Sequence, residues 1–277
     1  MVDYSKMLSG RAVSLKPSGI RKFFDILGDK KDVISLTVGQ PDFVTPWHIR
    51  EAGIRSLEEG RTYYTSNNGL MELREQIAQY QQRRFGLSYD PANEITVGGS
   101  EAIDLALRAL VEPGDEVIVP EPCFVCYSPL TEMAGGVPVH LPLKAENEFR
   151  LTADELRRAI TPRTKALILA FPNNPTGAVM EKSDLEAVAD VLRGTNIAVI
   201  SDEIYGELTY EGVARLLCRA GRDARAHHCR RGLFQIPCDD GLAARLSARA
   251  VRIDCADVQN PPVRHYVRAY NQPVCRC

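Results

Sequence analysis

The sequence contains no run of 18 apolar residues, so no segment reads as a bilayer-spanning helix. Its opening residues, MVDYSKMLSG, have no apolar core of the secretory type, and no signal peptide is expected there. The formal net charge is only −2. That balance argues against a nucleic-acid binder and against a basic membrane-surface protein. The sharper absences are local. No Lys lies beyond Lys182 and no Glu beyond Glu211. Residues 213–277 hold 12 Arg and 5 Asp, whereas residues 1–212 hold 22 basic and 31 acidic side chains. Six of the eight cysteines (Cys218, Cys229, Cys238, Cys255, Cys275, Cys277) also fall in the last stretch. Folded domains ordinarily draw on both basic and both acidic residue types. Three readings are open for this stretch: a basic partner-binding tail, a Cys/His metal module, or chain never selected to fold.

The first 212 residues alternate between strand and helix patterns. Glu94–Gly99 (EITVGG), Asp115–Pro120, Val137–Leu141, Lys165–Phe171 (KALILAF) and Asn196–Ser201 (NIAVIS) read as strands. Ser100–Val111, Thr152–Ile160 and Glu181–Arg193 read as helices between them, Thr152 and Glu155 forming a capping box. Upstream, Trp47–Gly60 and Leu70–Phe85 are further helices, with loop punctuation at Gly39–Asp42 and Asn67–Gly69. Such alternation implies an α/β fold, a mostly parallel sheet with helices on both faces. Ligands of such sheets sit at the carboxyl ends of the strands.

Polar residues gather at those ends. Gly98-Gly99-Ser100-Glu101 opens a helix, and is either a plain turn or a phosphate cradle. Pro172-Asn173-Asn174-Pro175 follows KALILAF, and is either an ordinary turn or a rigid mount for an Asn side chain. Asp202-Glu203-Ile204-Tyr205 follows NIAVIS, where Asp202 is either a helix cap or a carboxylate awaiting a cationic partner. Cys123-Phe124-Val125-Cys126 has the spacing of a redox pair, but its bulky apolar middle argues against a reactive one. Buried free thiols fit a reducing, cytoplasmic setting. Together these form an aromatic plate, an amide, a carboxylate with a Tyr, and a possible phosphate cradle. That inventory suits a planar, phosphorylated cofactor with a ring nitrogen, as pyridoxal 5'-phosphate is.

The motifs LKPSGIRKF, SLTVGQPDFVTP, YYTSNNGLMELR, TVGGSEAIDLALRAL, FPNNPTGAV and ISDEIYGEL stand in order between Leu15 and Gly212. In this the chain resembles the class I/II aminotransferases, fold-type I enzymes dependent on pyridoxal phosphate, in their aspartate/aromatic branch. The resemblance implies that Gly99, Ser100 and Glu101 lie at the cofactor phosphate and Phe124 stacks on the ring. It implies that Asn174 and Tyr205 hydrogen-bond the phenolic oxygen, and that Asp202 pairs with the ring nitrogen. Tyr64 would reach the phosphate in a neighbouring subunit of a homodimer, and Gly39 would lie near the substrate carboxylate. The expected substrates are an amino acid and a 2-oxo acid. A related carbon–sulfur lyase, or a fragment that binds the cofactor without catalysis, is the alternative.

The family also needs a Lys that forms a Schiff base with the cofactor, downstream of the DEIY motif. All eight lysines here (Lys6, Lys16, Lys22, Lys30, Lys31, Lys144, Lys165, Lys182) precede that place, so no catalytic residue is assigned. The expectation is that residues from about Val213 are translated out of frame. With permitted codons, Asp223–Ser247 read one base later becomes MRERTIVVGGFSKSLAMTGWRLGYL, a family-like continuation with its Lys and Arg. Gln235-Ile236 as CAA-ATC then contains AAA, a Lys codon. A zinc module on His227, His228, Cys229 and Cys238 lacks paired Cys-x-x-Cys spacing, so no metal is expected. The arginines are scattered, so no nucleic-acid tail is expected either. The expected organisation is an N-terminal arm over 1–45, an incomplete cofactor-binding large domain over 46–212, and no native domain over 213–277.

Overall fold

A computed structural model describes residues 7–15, 44–66, 68–97 and 99–210, with the backbone of two short strands, 233–236 and 248–250. The chain forms two compact units, Met1–Tyr63 and Tyr64–Cys277. In the first unit the described residues make two helices, α1 (Gly10–Ser14) and α2 (Trp47–Glu58). The Ser9 hydroxyl caps α1 by accepting from the Ala12 N–H at 3.2 Å.

In the second unit, α3 (Met71–Phe85) leads to the short strand β1 (Ile95–Val97) and to α4 (Gly99–Leu110). There follow β2 (Glu116–Glu121), α5 (Tyr127–Ala134), β3 (Val137–Pro142), α6 (Ala153–Ala159), β4 (Thr164–Ala170), α7 (Lys182–Leu192) and β5 (Ala198–Asp202). The strand β6 (Leu233–Ile236) completes a five-stranded sheet of order β3-β2-β4-β5-β6, every pair parallel. The predicted elements therefore stand within one or two residues of their expected ends, with two differences. The EITVGG strand does not enter the parallel sheet: β1 pairs antiparallel with β7 (Ala248–Ala250) in a separate ribbon. Three residues with no long apolar run fix no pairing partner on their own. The helix α5 was not foreseen. Its Pro129 sits in the first turn, where a missing N–H costs nothing, and Gly135 at φ +99° ends it.

The sheet is buried on both faces because its strands place alternate residues on each. Val117, Val119, Ala166, Ile168, Ala198 and Ile200 meet α4 and α5 through Ala102, Ile103, Ala106, Leu107 and Tyr127. Ile118, Leu167, Leu169 and Val199 meet α6 and α7 through Leu156, Leu185 and Val188. The Thr152 capping box starts α6 as expected: its hydroxyl accepts from the Glu155 N–H, and the Glu155 carboxylate accepts from the Thr152 N–H, each at 3.3 Å. Beyond residue 210, β6 and β7 are described as backbone alone. Adding a strand to an open sheet edge uses main-chain groups, which a short β-prone run such as Leu-Phe-Gln-Ile can supply.

Candidate active site

The strand order reverses between β2 and β4: the chain goes from β2 to β3 on one side, then crosses to β4 on the other. In open α/β sheets the ligand crevice opens at such a reversal, outside the carboxyl ends of the strands. Three segments leave the sheet there: Pro122–Tyr127 after β2, Pro172–Gly177 after β4, and Glu203–Gly206 after β5.

Asp202, the last residue of β5, is 7% exposed. Its Oδ2 accepts a hydrogen bond from the Tyr127 phenol at 2.8 Å, and its Oδ1 accepts from the Ile204 N–H at 3.2 Å. Both carboxylate oxygens are thus oriented by the protein. Tyr127 is 3% exposed. Burial, and then the facing Asp202 carboxylate, push its phenol well above the ordinary range, so it remains a donor. The Tyr127 ring meets Phe124 edge to face, centroids 5.9 Å apart at 74°. Phe124 itself is 39% exposed.

On the β4 side, the Asn174 side-chain amide donates to the Tyr205 hydroxyl at 3.4 Å. The preceding Asn173 is buried and ties two segments together. Its amide donates to the Pro122 carbonyl at 3.1 Å, and its Oδ1 accepts from the Thr176 N–H at 3.3 Å and hydroxyl at 2.9 Å. The loop that carries Asn174 is therefore fastened to the loop that carries Phe124. Burial, and then the Glu121 carboxylate, push the Cys123 thiol up to about 12, against an activated thiolate there.

The residues expected from sequence fall into three groups. Phe124, Asn174, Asp202 and Tyr205 stand on these three adjoining strand ends. Gly99, Ser100 and Glu101 form the first turn of α4, whose side chains there lie outside the described residues. A Cβ at Gly136, before β3, would touch Val111, the residue after α4, so the helix ends at the amino side of the strands. Its first turn therefore points toward the carboxyl side. Tyr64 is 92% exposed, and Gly39 lies outside the described residues. Sequence reasoning missed Tyr127 and Asn173. The signal for Tyr127 was the i, i+3, i+4, i+7 spacing of Tyr127, Leu130, Thr131 and Ala134; Asn173 carried no signal separating it from Asn174.

An oriented carboxylate, an amide–phenol pair and a partly exposed aromatic side chain thus stand together at the reversal of a parallel α/β sheet, the place where open sheets of this class bind ligands. The chain belongs to the aminotransferase class I and II family, whose sequence profile matches residues 31–230. It is 52% identical over 206 residues to a putative aminotransferase of Bacillus subtilis, covering 74% of this chain and 53% of that one. It is 44% identical over 208 residues to the aromatic-amino-acid aminotransferase 2 of Thermococcus litoralis, covering 74% and 54%. The solved aspartate aminotransferase from Thermus thermophilus with maleate matches with TM-score 0.79 and 35% identity, over 95% of this chain and 67% of that chain. The fold is thus fold-type I, and the family is pyridoxal-phosphate-dependent. The chain spans about half the length of the curated relatives it matches. Among the described residues, no helix is long and apolar enough to cross a membrane.

Proposed function

We propose that residues 46–212 carry a pyridoxal 5'-phosphate site of the aminotransferase kind, which in the intact family serves amino transfer between an amino acid and a 2-oxo acid. The cofactor, when bound, supplies an electron sink for the charge left when the amino acid loses its α-proton. The observation that carries the reading is Asp202, a buried carboxylate with both oxygens oriented by donors at the crevice. A carboxylate held in place there suits a protonated ring nitrogen, with which it would make a charge-assisted hydrogen bond. Asn174 and Tyr205 are donors suited to the ring's phenolic oxygen, and Phe124 offers a face for stacking. The first turn of α4, at Gly99, Ser100 and Glu101, offers free N–H groups to a phosphate. Gly39 is assigned to substrate binding through the family resemblance alone.

The reading includes a homodimer in which the exposed Tyr64 reaches the neighbouring subunit's cofactor phosphate, and a cytoplasmic location. It also includes a defect. Residues 213–277, where the family's Schiff-base Lys would fall, contain none, so this chain is expected to bind the cofactor without completing amino transfer.

The test is a titration of the purified full chain with pyridoxal phosphate, followed by cofactor absorbance. Saturable binding is expected, weakened about 10- to 100-fold in Asp202→Ala, the scale of one hydrogen bond to a charged group. No 2-oxo acid product should form from an added amino acid. Absence of saturable binding, or equal affinity in the variant, would overturn the reading.

A further inference from the structure

Tyr127 is the buried group that the sequence motifs did not assign. It lies 75 residues from Asp202 in the chain, yet its phenol and that carboxylate are joined at 2.8 Å. It belongs to the buried cluster that also holds Ala102, Ile103 and Ile200, and its hydroxyl is directed at Asp202. Its ring supports Phe124 from the side. One side chain therefore touches two of the groups the functional reading needs.

We infer that Tyr127 is the positioning residue of the site, aiming the Asp202 carboxylate while setting the tilt of the Phe124 ring. This rests on the pyridoxal phosphate reading above. A hydrogen bond donated to the charged form of a carboxylate favours that form. A phenol is suited to the task because it remains neutral and keeps its proton across the working range. It neither competes for the proton on the ring nitrogen nor adds a second negative charge. The Ile204 N–H fixes the other oxygen, so the carboxylate is left with little freedom to rotate. Tyr127→Phe separates the two roles, since it keeps the ring beside Phe124 and removes only the hydroxyl.

The experiment uses the full chain and two readouts. In the first, without cofactor, Asp carboxyls labelled with 13C are titrated by NMR, with Asp202 assigned through Asp202→Asn. The Asp202 carboxyl should titrate at higher pH in Tyr127→Phe than in the wild type; an unchanged titration overturns the inference. In the second, pyridoxal phosphate affinity is measured in a cycle of Tyr127→Phe and Asp202→Asn. Tyr127→Phe should weaken binding about fivefold in the wild-type background, less than the loss of a direct hydrogen bond to a charged group because Tyr127 acts through Asp202, and by much less beside Asp202→Asn. Equal losses in both backgrounds would overturn the inference. Should Tyr127→Phe fail to fold, tyrosine 13Cζ shifts give the link from the other side. The Tyr127 resonance should move in Asp202→Asn, and a resonance that stays put is the contrary result. A wild-type chain that binds no pyridoxal phosphate overturns the functional reading and the positioning role with it. An unchanged Asp202 titration beside intact cofactor binding overturns the positioning role alone.

Discussion

Asn173→Ala is expected to destabilise the folded chain by about 3 kcal/mol. The side chain is 5% exposed and makes three hydrogen bonds: to the Pro122 carbonyl, the Thr176 N–H and the Thr176 hydroxyl. Each is worth roughly 1 kcal/mol net, and a buried group left without its partner costs about 1–3 kcal/mol. Water entering the space left by the amide recovers part of that, which keeps the sum near three bonds' worth rather than above it. Urea unfolding followed by far-UV circular dichroism gives the value by linear extrapolation. Glu146→Ala, at an exposed position, is the control and should stay within about 0.5 kcal/mol of the wild type. Asn173→Ala also frees the Asn174 loop from the Phe124 loop, so pyridoxal phosphate affinity should fall as well. A stability loss below about 1 kcal/mol would refute the claim that Asn173 fastens the two strand ends together.

Other substitutions probe the rest of the domain. Gly136→Ala would bring a Cβ to 2.6 Å from Val111 Cγ1, an overpacking expected to cost about 1–3 kcal/mol in the same unfolding assay. The Glu116 carboxyl is held below the ordinary carboxylate range by the Thr161 hydroxyl and by Arg163, against an opposing effect of burial. Its contribution is present above the unfolded-chain pKa of about 4.3 and is lost as pH falls through the lower folded value. Glu116→Gln should therefore flatten the acid limb of stability against pH, and an unchanged acid limb would contradict this. The Cys123 thiol, at about 12, should resist iodoacetamide at pH 8 in the folded chain and react once unfolded. Peptide mass mapping separates it from the tail cysteines.

The legible parts of the fold were those with a local cause. The strands β2, β4 and β5 are buried on both faces, so DEVIVP, KALILAF and NIAVIS read as unbroken apolar runs. The helix α6 announced itself through Thr152 and Glu155. Asp202 stood out in the sequence because it closes a buried run, where a polar group needs a reason, whereas Asn174 and Tyr205 were singled out through the family resemblance. The rest is non-local. Whether β1 joins the main sheet depends on which strand edge it meets, and nothing in Ile-Thr-Val specifies that. Tyr127 touches Asp202 only because the strand order places β2 and β5 on either side of β4, and Asn173 reaches Pro122 across 51 residues for the same reason. The helix α5 was hidden by Cys126 and Pro129, residues that local rules read as loop.

The central claim is that Asp202 recognises a ring nitrogen in the crevice at the carboxyl ends of β2, β4 and β5. The most direct test compares pyridoxal phosphate with its 1-deaza analogue, in which a carbon replaces that nitrogen, on the wild-type chain and on Asp202→Ala. The wild type should prefer pyridoxal phosphate by at least about tenfold, as one charge-assisted hydrogen bond requires. The preference should disappear in Asp202→Ala. Equal affinity of the wild type for both compounds, or a preference that survives the substitution, would contradict the account.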